Sequence, residues 1–178
     1  MRTTLLAVAV FISGCASNTS VAPTSLDHSD PLVISAEAGK YNYKTLDGPS
    51  EKGAISYFVR LSQMAGGTKW VPSAYIGFLQ GDTLHNSVQL IVFRNNDDDT
   101  DLTIAYRIVE ARKILRTVNL AHAPFDTKIP VKLTFDRGNV SIKIGDRAPV
   151  SVQTALTIVS PFASVSSGTA EFARSPDK

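Results

Sequence analysis

A pair of carboxylates flanking a bond is the simplest acid–base machine a protein builds. This chain has only Glu37, Glu51, Glu110 and Glu171 as glutamates, and only the first two are close in sequence. A serine nucleophile needs a histidine as base. The histidines are His28, His85 and His122, with no Gly-x-Ser-x-Gly turn to accompany them. His28 lies in a run of small polar residues, His85 follows Gly81-Asp82-Thr83-Leu84, and His122 sits in Ala121-His122-Ala123-Pro124. None is paired with another at metal-ligand spacing, so zinc has no support. The single cysteine, Cys15, leaves no thiol pair for a disulfide or a thiolate metal site.

Two groups of side chains remain that bind without reacting. Asp97, Asp99 and Asp101 alternate within Asp97-Asp98-Asp99-Thr100-Asp101 and are similar to the opening of a calcium-binding EF-hand loop. The glycine expected next is Leu102, and the closing glutamate position holds Ile108. These departures favour a solvated hairpin tip, whose charges also discourage edge pairing, over a calcium site built from Asp97, Asp99 and Asp101. The second group is aromatic. Sugar recognition asks for exposed rings that stack on sugar faces beside planar polar groups. Trp70 follows Gly66-Gly67-Thr68-Lys69 and could project from that loop, while Tyr41 and Tyr43 flank Asn42 after Gly39-Lys40. A lone tryptophan in a β-sandwich ordinarily fills the core, and the two tyrosines equally suit a strand, so both placements stay open.

Cys15 closes a segment with the features of an export signal. Arg2 supplies a cationic start, Leu5–Ile12 is apolar, and small residues lead to the cysteine. The apolar run is about half of the ~20 residues that a membrane-spanning helix needs. Ile12-Ser13-Gly14-Cys15 resembles the lipobox of bacterial lipoprotein signal peptides. The resemblance implies cleavage of residues 1–14, a diacylglycerol and usually a third acyl chain on Cys15, and anchoring in a bilayer of the bacterial cell envelope. In a Gram-negative source the outer membrane is expected, because Ala16 and Ser17 lack an acidic retention signal. Two or more acyl chains hold stably where one does not. Residues 16–30 are rich in Ser, Thr and Asn and read as a flexible tether.

Residues 31–174 must position whatever these side chains do, with 175–178 left as a tail. Their dominant signal is period-two alternation: Ile55, Tyr57, Val59 and Leu61; Leu102, Ile104, Tyr106 and Ile108; Ile129, Val131, Leu133 and Phe135; Val140, Ile142 and Ile144. Each run predicts an antiparallel strand with one face in a core and the other in water. Further strands are expected at 32–37, 73–79, 87–94, 114–120, 151–156, 162–166 and 169–174. Turn signals at Gly66-Gly67, Gly81-Asp82, Asn95-Asn96-Asp97, Asp136-Arg137-Gly138-Asn139 and Gly145-Asp146 separate them. Ile108–Arg116 fits a helical period as well, but β periodicity enters it from both sides, so two strands with a turn at 110–113 are preferred.

The expected class is therefore all-β, a two-sheet antiparallel sandwich. The closing pattern KIPVKLTFDRGNVSIKIGDRAPVSV, then SPFASVSSGTAEF, resembles concanavalin A-like jelly rolls in strand order and turn placement. Hydrolases on that fold carry two glutamates in an E-x-D-x-x-E strand, which this chain lacks. The resemblance thus implies a non-catalytic binding module with glycan as ligand, for which Trp70, Tyr41 and Tyr43 are the candidate contacts by residue type. The rivals are an assembly partner for another envelope protein and, more weakly, a glycosidase with dispersed carboxylates. No resident cofactor is expected. Without Arg2 the basic and acidic residues nearly cancel, which argues against nucleic acid. Arg107, Arg112, Lys113 and Arg116 either face an acidic partner or form a solvated strand face.

Overall fold

The sandwich is built from one continuous ladder that folds back on itself. In a computed structural model, which describes residues 30–65, 70–95 and 99–176, the described regular elements are ten β-strands. In chain order they are β1 (Leu32–Thr45), β2 (Lys52–Met64), β3 (Ser73–Leu79), β4 (Ser87–Phe93) and β5 (Asp101–Glu110). There follow β6 (Lys113–Pro124), β7 (Ile129–Asp136), β8 (Asn139–Ile144), β9 (Val150–Gln153) and β10 (Ser160–Arg174). No helix among the described residues is long and apolar enough to cross a membrane. The Cys15 lipobox, the tether and His28 lie outside the described residues.

Two strands turn the ladder into layers. β10 pairs β3 along Ser160–Ser166 and β2 along Gly168–Arg174. Opposite it, β1 pairs the late part through Leu32–Ala36 and the early part through Tyr41–Thr45, with a register break between Ala36 and Tyr41. The first sheet is therefore β6-β5-β4-β3-β10-β1, and the second is β1-β10-β2-β7-β8-β9, all antiparallel. Segments 162–166 and 169–174, expected as two strands, are one strand with a corner at Ser167-Gly168. Ser167 has φ 50° there.

The inward faces share one apolar cluster. Ile76, Leu90 and Ile104 from the first sheet belong to it with Val131, Leu133 and Ile142 from the second. Phe78 and Phe135 meet across the layers with ring centroids 5.7 Å apart. Alternation in β7 matches the pattern read from the sequence, buried on odd positions and open on most even ones. The segment 108–116 is a hairpin, turned by Ala111 and Arg112 in left-handed conformation.

The polar set of β5, Thr103 and Ala105, was expected in water, yet both are buried. β3 and β4 are buried on nearly every position as well. The middle of the outward face of the first sheet is thus covered, although no described strand forms a second sheet over it. The outward face of the second sheet differs. There Arg60 makes two 2.8 Å bonds to the Asp126 carboxylate and reaches Glu171 at 3.2 Å. Hydrogen bonding to that guanidinium holds the Asp126 carboxyl below its ordinary value.

Candidate ligand-binding site

Register fixes which side chains share the outward face of the first sheet. From β1 to β6, one row is Tyr41, Ser166, Ser73, Phe93, Thr103 and His122. The next is Tyr43, Ser164, Tyr75, Ile91, Ala105 and Asn119, and a third runs Thr45, Phe162, Gly77, Gln89, Arg107 and Thr117. The middle strands supply small residues, so their side chains form a buried floor: Ser73, Ser164, Ser166, Ile91 and Ala105. The larger side chains stand around it as walls.

Both ends of this trough are bounded. Residues 80–86 fold over the end nearest Gln89. Tyr43 Oη donates to the Asp82 carbonyl at 2.9 Å, and Ser87 Oγ donates to the Leu84 carbonyl at 3.0 Å. At the other end stand Trp70 and Val71, 52% and 41% exposed. Between them lies a cavity of about 220 Å³ lined by Trp70, Val71, Ser73, Tyr75, Ile91, Phe93, Arg107 and Ser166. No carboxylate is among those lining residues.

Trp70 is exposed and borders the trough, which removes the core placement. Tyr41 and Tyr43 are on β1 and not on a loop, at the edge of the same face, each 40% exposed. Their rings stack 5.8 Å apart with an 11° tilt. The Tyr41 phenol is pushed up to about 12, mainly by burial and then by Tyr43 and Tyr75, so it stays a neutral donor. Ser164 Oγ, buried on this face between Tyr43 and Tyr75, has no hydrogen-bond partner.

The other candidates do not converge. Glu110 Oε1 accepts from Ala155 N at 3.3 Å, Glu171 serves Arg60, Glu37 is exposed on β1 and Glu51 is exposed just before β2. His85 lies in the 80–86 loop against Arg112, while His122 Nδ1 is 3.5 Å from Thr103 Oγ1. Asp97 lies outside the described residues; Asp99 is half-buried and Asp101 exposed on β5. Among the described residues no three acidic, histidine or cysteine side chains gather as a metal site. Of the basic group, Arg107 reaches the trough, Arg112 and Lys113 sit exposed at the β5–β6 hairpin, and Arg116 lies over the Tyr106 ring at 5.9 Å.

A larger depression, about 310 Å³, opens where the β6 edge faces β8 and β9. Its lining is aliphatic apart from Arg147, whose Nη1 already donates to the Leu120 carbonyl. It lacks the mixture of ring, hydroxyl and charge found on the first sheet.

The architecture is that of the concanavalin A-like jelly rolls. No protein-family model matches the chain, and no curated protein matches it in sequence. Among solved structures it is similar to the carbohydrate-binding module CBM66 from Bacillus subtilis, at 10% identity and TM-score 0.55, covering 83% of this chain and 94% of that one. It is also similar to CG-16, a homodimeric agglutinin from chicken liver, at 12% identity and TM-score 0.50, covering 78% and 98%. A functionally unknown protein from Saccharomyces cerevisiae matches at 6% identity and TM-score 0.50, covering 81% and 85%. Likeness at such identities establishes the fold, and function must be argued from the site.

Proposed function

We propose that this chain is a non-catalytic glycan-binding module, held on a bacterial envelope membrane by acyl chains on Cys15. The observation that carries the reading is the trough on the first sheet. An exposed indole, Trp70, borders a cavity that is also lined by the hydroxyl-bearing side chains of Ser73, Tyr75 and Ser166. A sugar ring has one apolar face for the indole and an equatorial belt of hydroxyls for those side chains. The likeness to a carbohydrate-binding module and an agglutinin supports this reading at the level of the fold. The absence of a lining carboxylate weighs against a glycosidase at this place.

The anchor suits the same arrangement. β1 enters the fold at Leu32 in the second sheet, paired with Phe172. A tether from Cys15 would lead into the β1 end that pairs within the second sheet, away from the end that carries Tyr41 and Tyr43. The tether's root-mean-square reach is on the order of 20 Å for a coil of that length.

Affinity gels containing a panel of neutral and acidic polysaccharides test the binding. The wild-type domain is expected to be retarded on at least one, and Trp70→Ala to weaken that retention by about tenfold, the loss of a stacking contact worth ~1.4 kcal/mol. Retention unchanged by Trp70→Ala, with an unchanged melting temperature, removes Trp70 from the site; no retention on any member defeats the reading. For the anchor, labelled palmitate enters the wild-type protein in cells and not Cys15→Ala. Labelling of that variant would overturn lipidation at Cys15.

A further inference from the structure

We infer that the trough selects a carboxylated sugar, with Arg107 as the side chain that holds the carboxylate. This rests on the glycan-binding reading and adds the charge of the ligand. Arg107 is the one ionised residue among those lining the cavity. Its position follows from register: it lies between Gln89 on β4 and Thr117 on β6, at the wall facing Trp70 across the floor. Its bond within the fold is a long one, Nε to Thr117 Oγ1 at 3.4 Å. No described carboxylate forms an ion pair with it.

The second sheet shows what this chain does with an arginine on a strand when the role is structural. Arg60 is saturated by two carboxylates, Asp126 and Glu171. Arg107 has the same planar fork of donors, yet among the described residues it is left without a carboxylate, in a cavity that it shares with apolar Ile91 and Phe93. A guanidinium is matched in geometry to a carboxylate and binds it through two parallel bonds. Water competes less in a recess than on an open surface, so the attraction is less screened there. The cavity also presents hydroxyl-bearing side chains, Ser73, Tyr75 and Ser166. A neutral sugar would satisfy hydroxyls and leave the charge unmatched. A uronic acid ring satisfies both: its carboxylate lies at the ring edge, toward Arg107, while its apolar face meets Trp70.

The test compares polygalacturonate with the same polymer after its carboxyl groups have been reduced to alcohols, in affinity gels at several salt concentrations. The wild-type domain is expected to be retained about tenfold more strongly by the acid polymer, with retention falling as salt rises. Arg107→Gln is expected to lose that preference while keeping its melting temperature. Trp70→Ala should weaken retention by both polymers. Equal retention by the two polymers in the wild type overturns the charge selection and leaves the glycan-binding face standing. Acid preference that survives in Arg107→Gln overturns the assignment to Arg107. Failure to retain on these polymers and on the whole panel above defeats both readings together.

Discussion

Replacing Phe135 with alanine is expected to lower the unfolding free energy by about 3–5 kcal/mol. The ring is 2% exposed on β7 of the second sheet, and its neighbour across the core is Phe78 of β3, fully buried in the first. The pair thus fastens one layer to the other. Gly53, which pairs with Phe135 on β2, leaves the space that the Phe78 ring fills: a Cβ there would fall 2.9 Å from Phe78 Cε1. Because that fit involves three strands of two sheets, the core has little freedom to close over the hole. The loss is large against the ~5–15 kcal/mol that holds a typical domain. The one cysteine is Cys15, so no disulfide compensates. Urea unfolding of Phe135→Ala beside Phe125→Ala, an exposed ring at 38%, is the measurement. The second variant should move by less than about 0.5 kcal/mol. Equal shifts in the two midpoints would show that Phe135 does not bridge the layers.

The strands were readable where one face is wet. β7 alternates in sequence and in burial alike, and β3 begins and ends at Ser73 and Leu79 as its turn signals predict. The trough was not readable, for two physical reasons. Its floor strands are occluded on both faces, so polar alternation, which marks a solvent face, no longer marks exposure at Thr103 or Ala105. The floor is also assembled by long-range pairing. Ser166 meets Tyr41 and Ser73 only because β10 lies between β1 and β3, and nothing local in residues 160–166 announces those neighbours. Trp70, Tyr41 and Tyr43 stood out by type alone, but only the pairing shows that Trp70 borders the cavity while Tyr41 and Tyr43 lie on β1 outside its lining. Arg107 was visible as one of four basic residues. What singles it out from Arg112, Lys113 and Arg116 is its place in a recess, a property of the sheet and not of the segment.

The corner of β10 is the other place where a single methyl group should be costly. Gly168→Ala is expected to destabilise the domain by about 2–4 kcal/mol, combining overpacking of about 1–3 kcal/mol with a strained or broken ladder bond of ~1 kcal/mol. A Cβ on Gly168 would lie 2.3 Å from the Gln63 carbonyl oxygen, a backbone atom that no rotamer change can move aside. Neither can β10 shift freely. The preceding residue, Ser167, is buried with φ 50°, its Oγ accepts from Gly39 N at 3.0 Å, and its carbonyl accepts from Ala65 N at 3.0 Å. Those two bonds tie β10 to β1 on one side and to the end of β2 on the other. Any displacement of the corner therefore moves both layers at once, the β3 ladder before it and the β2 ladder after it. Gly48→Ala is the matched control, since an added Cβ there meets nothing within 4 Å, and its effect should stay within about 0.5 kcal/mol. The corner also reaches the trough, because Ser166 of the floor is two residues before Gly168. Glycan retention by Gly168→Ala, measured below its melting transition, should then fall along with stability, whereas Phe135→Ala, whose cavity lies in the core, should lose stability and retain binding while folded. If Gly168→Ala matches Gly48→Ala in its urea midpoint, the corner is not the rigid joint described, and the two sheets must be held in place by the core alone.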